Sequence, residues 1–157
     1  MPTTKRTRTI AAPAGDLWEL ISDPHHLPRW WPRVARVEGV EGDAFTKVMA
    51  SPRGRMVRAD FEVVSVDERA LTLRWAQQIE NTPFARLLTA AETELRLDPA
   101  GRGTDVTIEL RQALRGLFPR IGASRIRRAA GATLEEALDG LERIIGEPRD
   151  FGERELL

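Results

Sequence analysis

The chain has 157 residues, 41% of them hydrophobic and 31% charged, with 24 Lys and Arg against 24 Asp and Glu. That size suits one compact domain with a substantial core, and charges interspersed in sign leave no basic footprint for nucleic acid or an anionic membrane. The lack of cysteine excludes disulfides, thiolate catalysis and cysteine-held metal together; no stretch approaches the roughly 20 apolar residues of a membrane span, so a cytoplasmic protein is expected.

Thr3 to Ile10 alternates basic and β-branched residues, with Thr3, Lys5, Thr7 and Thr9 on one face, and reads as a strand. Ala11-Ala12-Pro13 breaks it. Leu17, Trp18, Leu20 and Ile21 then form an apolar stripe behind Asp16, which predicts a short helix from Pro13 to Ile21. Asp23 followed by Pro24 is a capping signal, so a second short helix is expected from Pro24 to about Trp30, stopped by Pro32. The segment Asp23 to Pro32 places two adjacent tryptophans where helix gives way to sheet, and so much apolar surface needs a cover of core, ligand or partner.

Beyond Val34 the period becomes two. Candidate strands are Arg33 to Glu38, Ala44 to Ser51, Arg55 to Asp67, Leu71 to Ile79, Leu88 to Asp98 and Thr104 to Leu114, joined by turn-forming segments short enough for an antiparallel meander. Leu71, Leu73 and Trp75 share a face with Thr93, Leu95 and Leu97 and with Val106, Ile108 and Leu110. Their alternates Thr72, Arg74, Glu92, Glu94, Arg96, Asp105, Glu109 and Arg111 form a solvated outer face with opposite charges paired across strands. The run Val63-Val64 signals a bulge. Phe84, Leu87 and Leu88 after Pro83 either continue the sheet or form a lid. From about Ile121 to Ile145, apolar residues recur at three and four, including Ile126, Ala130, Leu134, Ala137, Leu138 and Leu141, which predicts one long amphipathic helix ended by Gly146. Residues 1–147 are read as one domain and 148–157 as a short charged tail.

This order of elements, with Ala12-Pro13 before Leu17-Trp18-Glu19-Leu20-Ile21-Ser22-Asp23 and then Leu27-Pro28-Arg29-Trp30-Trp31-Pro32 leading to Val34 and Val37, resembles the START-related (SRPBCC) superfamily. The likeness spans about Thr4 to Ile145 and is nearest to the polyketide cyclase/dehydrase and lipid-transport type. It implies an α+β helix-grip fold, a curved antiparallel sheet of about seven strands wrapping a long C-terminal helix, with two short helices after the first strand. It also implies a cavity between sheet and helix. Small or polar residues on the inner face, Ala59, Ala91, Thr93, Gln77 and Gln112, and Gly122, Gly131 and Ala132 on the helix, agree with such a space. Gly131 costs about 1 kcal/mol against alanine within a helix, which packing or ligand clearance would offset.

The function expected from that likeness is binding or transport of a hydrophobic small molecule, such as a lipid, an isoprenoid or quinone, or a polyketide-like aromatic. The expected lining is Trp30, Trp31, Phe61, Leu73, Trp75, Gln77, Thr93, Leu95, Gln112, Ile126 and Leu134, mostly apolar with a few orienting polar groups. Of the two adjacent tryptophans, one is expected in the core and the other at the pocket entrance or exposed.

Catalytic residues are left unassigned. The inward strand positions with a clean phase carry no acid, base or nucleophile, and His25, His26, Arg58 and Asp60 are the remaining titratable candidates. Adjacent histidines on a helix point about 100° apart and do not make a two-ligand metal face, so neither metal nor other cofactor is expected. The alternatives are a cyclase or dehydratase using the same cavity, and a chaperone-activator-like interaction module presenting an exposed tryptophan patch. The expected state is a monomer or homodimer without nucleic acid or stable membrane insertion. The basic residues Arg120, Arg125, Arg127 and Arg128 near the start of the last helix either pair with surface acids or attract an anionic ligand.

Overall fold

The computed structural model describes residues 2–116 and 120–146. Seven strands form one curved antiparallel sheet in the order β1-β7-β6-β5-β4-β3-β2, so all neighbours but β1 and β7 are adjacent in sequence. The strands are β1 (Thr3–Ile10), β2 (Val34–Glu41), β3 (Ala44–Ala50), β4 (Met56–Asp67), β5 (Thr72–Gln77), β6 (Leu88–Ala100) and β7 (Gly103–Leu114). Helices α1 (Ala14–Ser22) and α2 (Leu27–Trp30) fill the excursion between β1 and β2, and α3 (Arg120–Gly146) lies across β1, β7 and α2. The helix-grip expectation holds. The predicted second helix is instead two pieces, a 3-10 turn at Pro24–His26 and then α2, because Pro28 lacks the amide that would continue one hydrogen-bond ladder across both. The tail after Gly146, together with Phe118 and Pro119, lies outside the described residues.

Directly paired residues of an antiparallel sheet share a face, so the register identifies the inner surface. Leu73 pairs Leu95, which pairs Ile108; Trp75 pairs Thr93, which pairs Leu110; Leu97 pairs Val106. These are the predicted rows, and with Leu134, Ala137, Leu138 and Leu141 of α3 they build the main core. A satellite cluster of Ile79, Leu88 and Ala91 with Phe84, Ala85 and Leu114 closes the far end of the sheet. Phe84 belongs to a 3-10 turn there and Leu88 opens β6. On the outer face Arg111 pairs with Glu94 at 3.2 Å and Glu109 at 3.4 Å, and Arg74 with Glu92 at 3.6 Å, as the alternation predicts. The β4–β5 register slips between Val63 and Ser65, which places the expected bulge at the half-exposed Val64.

Two glycines of α3 set its seat. A Cβ at Gly140 would overlap the Trp30 carbonyl, so the helix meets α2 backbone to backbone. A Cβ at Gly131 would collide with the Arg6 guanidinium, which lies across the helix there and reaches Glu135 at 3.4 Å. The Arg6 side chain thus packs directly over Gly131. Ala132 faces solvent, against the expectation that it clears space in the interior.

Candidate functional site

The tryptophan junction turns sharply. Trp30 ends α2, Trp31 is extended with φ −81° and ψ 132°, and Arg33 adopts φ 62°, a left-handed conformation that a non-glycine residue reaches only at a cost. The turn sends both indoles inward. Trp30 is 2% and Trp31 8% exposed, with ring centroids 5.4 Å apart at 77°. The expectation that one of them lies exposed is thus corrected, while both border an open depression shared with Arg33, Glu136 and Arg143. Adjacent side chains diverge within one element, but here the peptide between them changes from helical to extended geometry.

Trp31 continues into an aromatic cluster on the inner sheet face. It meets Trp75 edge-on at 5.9 Å; Trp75 meets Phe45 at 5.8 Å; Phe45 stacks on Phe61 at 5.3 Å and 10°. Phe45 and Phe61 are register partners, as are Phe61 and Gln77. Two residues along β3 from Phe45, and therefore on the same face, is Lys47. Its Nζ sits 4.2 Å from the Trp31 ring centroid, 4.5 Å from Phe61 and 4.8 Å from Trp75.

Lys47 is 2% exposed and Val37 and Ala59 flank it on the neighbouring strands. Burial pushes its amine from the ordinary 10.5 down to about 7, and no described carboxylate offsets the effect. Three ring faces attract a cation, but a desolvated cation–π contact is worth about 2 kcal/mol, while dehydrating an ammonium costs several. The amine is therefore poised between its charged and neutral forms at neutral pH. The expectation of no titratable group on the inner strand positions is overturned by this residue. Its signal was present: the chain has only two lysines, Lys5 and Lys47, among its 24 basic residues. Every other basic side chain is an arginine, which cannot lose its proton in a protein.

The interior also holds donors without acceptors. The indole nitrogens of Trp75 and Trp30 and the amide nitrogen of Gln77 are buried with no hydrogen-bond partner. An unpaired buried donor costs about 1 to 3 kcal/mol, and two of these three, Trp75 and Gln77, lie on the sheet face that carries Lys47.

The other expected lining residues divide. Phe61, Trp31 and Trp75 gather about Lys47, Gln77 is the register partner of Phe61, and Thr93 is buried beside Trp75 as its register partner. Gln112 pairs with Ala91 toward the satellite cluster, and Ile126 on α3 is partly buried. Trp30, Leu73, Leu95 and Leu134 are packed in the main core, at 3% exposure or less.

The titratable candidates singled out from the sequence lie elsewhere. The side chain of His25 is 63% exposed, with its Nδ1 2.8 Å from Asp23, and His26 Nε2 is 3.7 Å from the same carboxylate. Burial would push the Asp23 carboxyl up, but the His25 amide and imidazole hold it below its ordinary range. Asp23 caps the turn as predicted, accepting from the His25 amide at 3.0 Å. Arg58 pairs with Glu38, and Asp60 accepts from Thr46 at 2.6 Å, both on the outer side. Arg125, Arg127 and Arg128 are exposed; two of them border an open depression of about 470 Å³ shared with Thr3, Thr4, Lys5 and Arg6. Among the described residues no group of three or more His, Asp or Glu could hold a metal ion, and no helix is long and apolar enough to cross a membrane.

Comparison with known proteins places this geometry. The family described as polyketide cyclase / dehydrase and lipid transport matches residues 1–146. Among solved structures, a START superfamily protein of Mycobacterium smegmatis superposes with a TM-score of 0.72 at 18% identity, over 89% of this chain and 94% of that one. The di-domain ARO/CYC protein BexL from the BE-7585A biosynthetic pathway gives 0.77 at 18% identity, over 91% of this chain and 46% of that one. A protein of Thermus thermophilus gives 0.70 at 24% identity, over 90% of this chain and 95% of that one. At these identities the likeness is one of fold. No curated protein matches the chain significantly.

Proposed function

This chain belongs to the polyketide cyclase / dehydrase and lipid transport family, and from that membership we propose that it binds a hydrophobic small molecule carrying oxygen acceptors, held between the inner sheet face and α3. The observation that carries this reading is the set of buried donors without acceptors, Trp75 Nε1 and Gln77 Nε2, on the face that also holds Lys47 and its aromatic rings. Apolar contact supplies affinity, and the donors orient the ligand's oxygens. A carbonyl, ether or carboxylate oxygen suits these groups, and a bare hydrocarbon leaves them as they are.

Trp31 and Trp75 make the ligand visible. Titration with 1-naphthol and with decanoic acid separates an aromatic from a fatty-acid preference through quenching of tryptophan fluorescence, and native mass spectrometry of freshly purified protein shows any retained molecule. Saturable binding of either probe, weakened at least about tenfold by Gln77→Leu combined with Lys47→Met, supports the reading. No added mass and no spectral response to either probe overturns it.

Lys47 also favours a second reading, a cyclase-type enzyme in which the same interior folds a reactive chain. An amine titrating near neutrality is suited to accept a proton from carbon next to a carbonyl. Exchange of such hydrogens of 2-acetonaphthone with deuterated water, lost in Lys47→Met, tests it.

A further inference from the structure

We propose that Lys47 is a nucleophile that captures hydrophobic aldehydes and ketones as an imine, a covalent and reversible mode of binding at the aromatic cage. The inference rests on the ligand-binding reading and adds a bond to it. Three observations carry it. First, the cage offers the amine no carboxylate among the described residues; its faces are Trp31, Phe61 and Trp75, with Val37 and Ala59 beside it, none of which titrates near neutral pH. Second, this lysine stands in a chain that otherwise uses arginine for every cation except Lys5, so the one buried basic group of the inner aromatic cluster is also one that can become a neutral nucleophile. Third, Phe61 is only partly buried, which puts one wall of the cage next to solvent and gives a planar aromatic carbonyl compound a route in.

The step balances without a further reactant. The neutral amine adds to the carbonyl carbon; the carbinolamine oxygen takes up protons and leaves as water; the nitrogen keeps one positive charge as an iminium when a solvent proton is counted in. Water leaves an apolar site, which favours dehydration. The iminium takes the place of the ammonium against the same three ring faces, so the product cation is held by contacts already built. Buried donors at Trp75 and Gln77 suit the carbonyl oxygen during addition.

The chain is well suited to a direct test, because its primary amines are Lys47, Lys5 and the N-terminus. Whole protein is incubated at pH 7 with 6-methoxy-2-naphthaldehyde, reduced with cyanoborohydride, and read by intact mass and by peptide mapping after cleavage at arginine. The expected result is one adduct per chain on the peptide Val37 to Arg53, at least about tenfold over Lys5, since an amine at about 7 has a far larger neutral fraction at pH 7 than a surface lysine. Lys47→Met removes this adduct and leaves Lys5 labelling unchanged. The non-carbonyl analogue 2-methoxynaphthalene competes with labelling of the wild type. Labelling confined to Lys5 and the N-terminus, with 2-methoxynaphthalene still bound, overturns the imine and spares the binding reading. Absence of both labelling at Lys47 and binding of 2-methoxynaphthalene overturns the two together.

Discussion

Arg8 and Lys47 project from the same face of one sheet, Arg8 among three carboxylates and Lys47 among three aromatic rings. Arg8 reaches Asp139, Glu135 at 2.6 Å and Glu142 at 3.7 Å, all on α3, and its hydrogen bond to Asp139 is the first cause raising its affinity for the proton. It fastens β1 to the helix at a partly hydrated boundary, where charge is matched by charge. Lys47 has neither water nor an opposite charge, and its amine falls to about 7. One cation is placed where the surroundings favour it. The other is placed where a methionine of similar length is expected to be more stable.

The contrast is sharpest when the charge on Lys47 is made permanent. Lys47→Arg forces a guanidinium into the cage, and urea unfolding at pH 7 is expected to show a loss of about 3 kcal/mol or more. Lys47→Met takes the charge away and is expected to gain about 1 to 3 kcal/mol at pH 6. The pH dependence has a definite sign. Between about 7 and 10.5 the folded chain holds fewer protons at this residue than the unfolded chain, so wild-type stability climbs as pH rises through that window. The advantage of Lys47→Met is full below pH 7 and fades toward pH 10.5; an advantage that stays constant to pH 10.5 would show that the folded amine keeps its proton as the unfolded one does and is not shifted by burial.

Arg8→Met tests the opposite case and is expected to cost about 1 kcal/mol, because three acids of α3 lose their common partner. Raising the salt concentration to 1 M should shrink that loss and leave the Lys47→Met gain nearly unchanged, since screening acts on hydrated charges. Glu142→Gln, which removes only the 3.7 Å contact, should cost no more than a few tenths of a kcal/mol.

The same contrast explains what was legible in the sequence. A period of two with charged alternates located β5, β6 and β7 and their outer face, because one side of those strands meets water. In β3 the run Phe45-Thr46-Lys47-Val48-Met49 has no such alternation, since Val48 is buried on the other face from Lys47. A lysine in that setting reads as the polar side of a strand, and only tertiary packing turns it inward. The double burial of Trp30 and Trp31 was hidden for a related reason, as it depends on the backbone passing from helical at Trp30 to extended at Trp31 and on the tertiary packing that covers both rings. The contact of Gly131 with Arg6 joins residues 125 positions apart in the chain.

The backbone contact at Gly140 has a mechanical consequence. With no side chain between the helix and the Trp30 carbonyl, α3 cannot slide toward the tryptophan turn, but it can tilt about that point. Ile126 lies 14 residues from the fulcrum, a lever arm of about 21 Å. A tilt of about 6° there lifts the Ile126 end by roughly 2 Å, while the backbone of α2 beside Trp31 stays in place. A tilt about Gly140 would therefore displace the far end of α3 most and the aromatic cage least.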